Sequence, residues 1–168
     1  MHRDFKVANV LLHDGVAKIA DLGFAKQMSK NVTGTILGTS LTMAPELLEE
    51  RPYGFEADIW SVGVVYYQLM YGKYPFMGIN DPMILKCIKE KRQPDFGGIN
   101  LSSKAKDFIV RCLTYEPKKR IQWKEVYDHP LIKEEEKIVY GLTSKLRVSD
   151  NKNFYERDLK LDDDMVYP

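Results

Sequence analysis

Residues 9–20 read Asn-Val-Leu-Leu-His-Asp-Gly-Val-Ala-Lys-Ile-Ala, two short β-prone runs on either side of Asp14-Gly15. An Asp-Gly pair in that setting predicts a β-hairpin. From Asp21 to Thr42 the chain is rich in Gly, Ser, Thr and Asn without a sustained period, which predicts a long loop with a binding or regulatory role. After Pro45 the pattern turns helical. Residues 58–71 carry Ile59, Trp60, Val62, Val64, Val65, Tyr66, Tyr67, Leu69 and Met70, apolar on nearly every side, as in a helix buried at the centre of a domain. Asp81-Pro82 predicts an N-cap and a first-turn proline for a helix running to about Glu90. Ser102 or Ser103 caps a further helix with Ala105, Phe108, Ile109, Cys112 and Leu113 on one stripe, and residues 123–127 predict one more short helical turn. The predicted body is mostly α, with no internal repeat.

The 168 residues are enough for one domain and too few for two comfortable ones. A hydrophobic content of 44% and a charged content of 29% exclude a wholly disordered or fibrous chain. The net charge of +1 supplies no field that would recommend nucleic acid or an anionic membrane as partner. The longest apolar stretch falls well short of the roughly 18 residues of a membrane span, and Arg3, Asp4 and Lys6 stand where a signal-peptide core would be. Cys87 and Cys112 both lie in apolar helical patterns and are expected to be buried free thiols in a reducing, cytoplasmic setting. Residues 134–168 differ in character, with nine acidic and six basic side chains. They are expected to form a charged, partly ordered extension to a body covering residues 1–133.

The chemistry-bearing residues gather at the start. His2-Arg3-Asp4 is followed by Lys6 and Asn9, and the hairpin then delivers Asp21-Leu22-Gly23 at its far end. This order resembles the catalytic loop and metal-binding loop of the eukaryotic protein kinases. Further on, residues 38–46 resemble the family's substrate-facing loop ending in Ala-Pro-Glu, and Asp58-Ile-Trp-Ser-Val-Gly resembles the start of its buried central helix. Arg120 stands where the family keeps the arginine that pairs with the glutamate of Ala-Pro-Glu, here Glu46. The resemblance covers residues 2–132 and implies a mainly α, kinase-like carboxyl-terminal lobe with a short β-hairpin beside the catalytic loop.

Its functional implications attach to single residues. Phosphoryl transfer needs Mg²⁺ held by hard oxygen ligands, a role that falls to Asn9 and Asp21. Asp4 would accept or orient the proton of an attacking hydroxyl, and Lys6 would lie against the transferred γ-phosphate of ATP. Leu11 would offer part of the adenine floor. Thr39 matches the threonine that hydrogen-bonds the catalytic Asp and Lys, and Thr35 matches a common activating phosphorylation site, whose phosphate would pair with Arg3. Lys6, two positions after Asp4, implies a serine or threonine acceptor in a protein substrate, and Thr35 implies an upstream kinase as partner.

Three departures stand out. Leu22 replaces the usual Phe, Thr42 the usual Tyr or Trp before Met-Ala-Pro-Glu, and Val7 a common Pro. The small β-rich lobe of the family, with its Gly-rich loop, strand lysine and adenine-binding hinge, has no counterpart in these residues. The expectation is therefore a kinase fragment from the catalytic loop onward, inactive by itself, with Met1 internal to a longer product. Its isolated stability is expected to be marginal, since Val10, Leu12 and Ile19 would lack partners. The competing expectation is a non-catalytic, kinase-like lobe that serves as a protein-binding module.

Overall fold

The computed structural model describes residues 1–21 and 40–133. The chain divides into two compact units, Met1–Leu131 and Ile132–Pro168, and the hairpin and the helical core belong to the first. Most of the predicted loop and the whole of the predicted extension lie outside the described residues.

Strands β1 (Val10–His13) and β2 (Val16–Ile19) pair antiparallel, with Val10 opposite Ile19 and His13 opposite Val16. Asp14 and Gly15 both adopt positive φ, at 50° and 75°. That is the turn whose twist matches two right-twisted strands, and it is why Asp-Gly occupies it. Leu11, Leu12, Val16 and Ile19 are all more than half exposed, so this hairpin buries little apolar surface among the described residues.

Five α-helices follow among the described residues: α1 (Pro45–Leu48), α2 (Glu56–Tyr71), α3 (Asp81–Lys91), α4 (Ser103–Cys112) and α5 (Trp123–Asp128). Single 3₁₀ turns form at Val7–Asn9 and Pro117–Lys119. The fold is the mainly α arrangement with one short hairpin that the sequence implies. No helix among the described residues is long and apolar enough to cross a membrane.

Helix α2 is the axis of the core. Ile59, Trp60, Val64, Val65 and Tyr67 are all buried, but the expectation of burial on every side fails at the end of the helix, where Leu69 and Met70 are exposed because the core cover stops short of its last turn. Gly72 ends it in the left-handed conformation and returns its N–H to the carbonyl of Gln68. Trp60 stacks on Phe76 at 5.7 Å, and Ile84, Ile88, Ile109 and Leu113 complete the packing from α3 and α4. Helix α4 approaches α2 closely because residue 63 is glycine: a Cβ there would lie 2.6 Å from the Cβ of Cys112.

The ends of two helices resolve the capping expectations. Ser102 caps α4, its hydroxyl accepting the Ala105 N–H at 3.2 Å. The cap of α3 is not Asp81 but Asn80, whose extended backbone precedes the helix and whose side-chain oxygen accepts the Met83 N–H at 3.0 Å. Asp81 is the first helical residue and Pro82 the second, positions that an acid and a proline also favour. A second correction concerns the cysteines. Both are free, but only Cys112 is fully buried, while Cys87 lies half-buried at the edge of the core.

Candidate functional site

The site is built where the start of the chain crosses the first turns of α2. Asp58, on that helix and buried, receives the backbone N–H of His2 at 2.8 Å and that of Arg3 at 2.9 Å. One carboxylate thus holds two successive amides, and Arg3 adopts φ 70°, a conformation unusual for a residue with a Cβ. Asp4 comes next, with its N–H on His2 Nδ1 at 3.3 Å. The bend turns the Asp4 side chain inward, where it is 5% exposed.

Around Asp4 the predicted partners converge. Lys6 Nζ donates to Asp4 Oδ2 at 2.7 Å. Asn9, also buried, donates its amide to the Asp4 carbonyl at 2.8 Å and more loosely to Oδ2 at 3.4 Å. Asp4 Oδ1 is buried and has no hydrogen-bond partner among the described residues. A carboxylate oxygen out of reach of water and without a donor is costly unless something else supplies one. The pattern therefore leaves one oxygen of a lysine-bridged carboxylate buried and without a donor among the described residues.

The hairpin sets the remaining geometry. Asn9 enters β1 and Ala20 leaves β2, with the Ala20 N–H on the Asn9 carbonyl at 2.8 Å. Asp21, the next residue, is thereby held at the same end of the hairpin as Asn9, exposed and at φ 62°. Because the Asn9 nitrogen is committed to Asp4, its side-chain oxygen remains the ligand-type atom. An amide oxygen and a carboxylate suit a hard cation. No group of three or more His, Cys, Asp and Glu among the described residues could cage a metal alone. Such a pair fits Mg²⁺, which takes one or two protein oxygens and fills its shell with phosphate oxygens and water.

The other predicted residues are more scattered. Leu11 lies on β1 opposite Lys18 and is 54% exposed. The Arg3 guanidinium carbon lies 6.0 Å from the Tyr53 ring centre, and its Nε is buried without a hydrogen-bond partner among the described residues. Thr35 and Thr39 lie outside the described residues. Glu46 and Arg120 meet in the core through two hydrogen bonds, Nη1 to Oε1 at 2.7 Å and Nη2 to Oε2 at 2.9 Å, both side chains fully buried. One residue without a sequence signal also enters. Ser61, one turn after Asp58 on α2, donates its hydroxyl to the Thr42 carbonyl at 2.9 Å. Its neighbours in sequence give no hint of that bond, because the acceptor is backbone.

Comparison with known proteins agrees with this geometry: the protein kinase domain family matches residues 1–132. The chain belongs to the eukaryotic serine/threonine protein kinase family. Serine/threonine-protein kinase 36 of Mus musculus is 41% identical over 135 residues, covering 79% of this chain and 10% of its own length. Serine/threonine-protein kinase TIO of Arabidopsis thaliana is 37% identical over 157 residues, covering 90% of the chain and 12% of its own length. Serine/threonine-protein kinase ppk11 of Schizosaccharomyces pombe is 35% identical over 136 residues, covering 79% of the chain and 44% of its own length. The chain thus spans less than half of the length of each of these kinases.

Proposed function

We propose that this chain contributes the carboxyl-terminal lobe of an ATP-dependent protein kinase that phosphorylates serine or threonine in protein substrates. One observation carries the reading: Asp4 is buried with Lys6 on one oxygen and the other oxygen unpartnered among the described residues. In this arrangement Asp4 orients the acceptor hydroxyl and takes up its proton, while Lys6 offsets the charge that develops on the transferred phosphoryl group. Asn9 and Asp21 would hold Mg²⁺, which when bound neutralises the phosphate oxygens. Leu11, with its apolar side chain on β1, would face adenine. Phosphorylation of Thr35 by an upstream kinase belongs to the same proposal, with Arg3 as the partner of the phosphate.

The test is Mg·ATP binding to the purified chain by calorimetry, together with transfer of labelled γ-phosphate to a serine- and threonine-containing protein by a kinase that carries this chain as its carboxyl-terminal lobe. Asp21→Ala is expected to abolish the binding, and Asp4→Asn to spare binding while reducing transfer by about 10²-fold or more. Binding that survives Asp21→Ala unchanged would overturn the assignment of the cation site.

A second reading, a lobe that binds protein without catalysis, is supported by the exposure of Leu11, Leu12, Val16 and Ile19 on the hairpin. Exposed apolar side chains grouped on two adjacent strands are suited to cover by another protein surface. Absence of any Mg·ATP binding would favour this reading over the first.

A further inference from the structure

Asp58 and Ser61 stand three residues apart, so both project from one face of α2. Asp58 holds the backbone N–H groups of His2 and Arg3. Ser61 holds the carbonyl of Thr42, a residue 19 positions earlier in the chain and on the approach to α1. Thr42 is buried, and so is Ser61. The same helical face therefore fixes two segments at once, the loop carrying Asp4 and the segment at residues 40–44. Between them lies a small cavity lined by Arg3, Thr42, Met43, Ala44, Asp58 and Ser61, among others. Each segment thus has its own hydrogen-bonded anchor on the helix.

We propose that Ser61 is a positioning residue, whose hydroxyl sets the place of the residue 40–44 segment relative to Asp4 and so the fit of the protein substrate. This rests on the reading of the chain as part of a protein kinase, in which that segment faces the substrate. The anchors differ in chemistry. Asp58 offers two acceptor oxygens to two N–H donors, whereas Ser61 offers one donor to a carbonyl that also competes with the Ala57 carbonyl, 3.3 Å from the same hydroxyl. A hydroxyl proton can serve one of these acceptors well at a time. Loss of the Ser61 hydroxyl takes this hydrogen bond from the Thr42 carbonyl, while the α2 backbone keeps its own ladder. The consequence is local: the segment loosens, and the Asp58 anchor is untouched.

The experiment compares amide hydrogen exchange in the unsubstituted full chain, Ser61→Ala and Ser61→Thr. The reporting amide is that of Met43, which donates to the Ser40 carbonyl next to the anchored residue. Ser61→Ala is expected to speed Met43 exchange about fivefold, the factor that one ordinary hydrogen bond is worth. The amides of His2 and Arg3 keep their rates, and Ser61→Thr, which retains a hydroxyl, restores that of Met43. Unchanged Met43 exchange in Ser61→Ala overturns the proposal. An equal acceleration at His2 and Arg3 also overturns it, because a general loss of stability would move both anchors together. In phosphoryl transfer, Ser61→Ala raises KM for the protein substrate several-fold and leaves KM for ATP unchanged. These KM values are read on a kinase that carries this chain as its carboxyl-terminal lobe: an unchanged KM for the protein substrate there overturns the proposal, whereas failure of the unsubstituted protein to bind Mg·ATP defeats the kinase reading instead.

Discussion

Arg120 and Glu46, 74 residues apart in the chain, form a two-pronged ion pair with no exposed surface on the guanidinium and almost none on the carboxylate. The arginine is also saturated: Nε donates to Thr114, and the remaining N–H groups reach the carbonyls of Glu56 and Tyr115. With the two bonds to Glu46, all five donors of the guanidinium have acceptors. Its central carbon lies 5.2 Å from the Trp60 ring centre. One side chain thus ties α1, the start of α2 and the loop after α4 together.

Removing the arginine leaves a buried carboxylate without a counter-charge, together with three backbone carbonyls. Arg120→Ala is expected to destabilise the chain by about 3–5 kcal/mol. Arg120→Lys falls well short of full rescue, because an ammonium cannot reproduce the planar fork. Urea unfolding followed by tryptophan fluorescence reads both variants. A loss of less than about 1 kcal/mol in Arg120→Ala would show that water reaches Glu46 readily.

The contact of α2 with α4 gives a second prediction. Gly63→Ala would place a methyl group 2.6 Å from the Cβ of Cys112 and 3.1 Å from a Leu113 methyl. The helices must separate, at a cost of about 1–3 kcal/mol. Because the nearest atom is a Cβ, Cys112→Ala is not expected to rescue the stability, and only a glycine at position 112 would clear the clash. A melting temperature unchanged in Gly63→Ala would refute this account of the helix contact.

These features are unequally legible in the sequence, and the differences have physical causes. The hairpin and most of the central helix can be read because their signals are local: Asp14-Gly15 dictates a turn, and an apolar helix is buried as far as its cover extends, which leaves Leu69 and Met70 exposed. The Asp4, Lys6 and Asn9 cluster is legible through motif spacing, since a short loop brings residues two and five positions apart together. The cap of α3 is ambiguous because Asn80 and Asp81 are equally able acceptors, and which one precedes the helix depends on backbone torsion. Cys87 looks internal in the sequence because helical periodicity identifies a face without saying how far the cover extends. The Ser61 bond is beyond reach, as it joins a common hydroxyl to a backbone carbonyl supplied by the tertiary fold.

The two cysteines differ enough to be tested chemically. Burial pushes the Cys112 thiol up to about 12, against a weaker opposite pull from Arg120 and Arg111. At pH 8 that thiol holds on the order of a thousandfold less thiolate than an ordinary cysteine of pKa about 8.5. Iodoacetamide at pH 8 is expected to label Cys87, at the edge of the core, and to spare Cys112 until urea unfolds the chain. Mass spectrometry of the labelled peptides gives the answer, and equal labelling of both in the native state would contradict the packing of α4 against α2.

The last prediction concerns acid. Glu49, just beyond α1, accepts hydrogen bonds from Lys89 of α3 and from the Tyr115 hydroxyl on Oε1, and from Arg51 on Oε2, all within 2.6 Å. Partial burial alone would raise its carboxyl, but the hydrogen bonds of Lys89, Tyr115 and Arg51 outweigh that and hold it below its ordinary value of 4.5. The folded chain therefore binds this proton less readily than the unfolded chain. It follows that the Glu49 contribution to stability is fully present above about pH 4.5 and is lost as the pH falls through the lower, folded-state value. Glu49→Gln removes the carboxylate, so the stability gap between the two chains should be constant at neutral pH and close below pH 4.5. Because Lys89 is half exposed, added salt should narrow the gap at neutral pH as well. Urea midpoints measured from pH 7 to pH 3 test this directly. A gap that stays constant down to pH 3 would mean that the carboxylate does not hold α1 and α3 together.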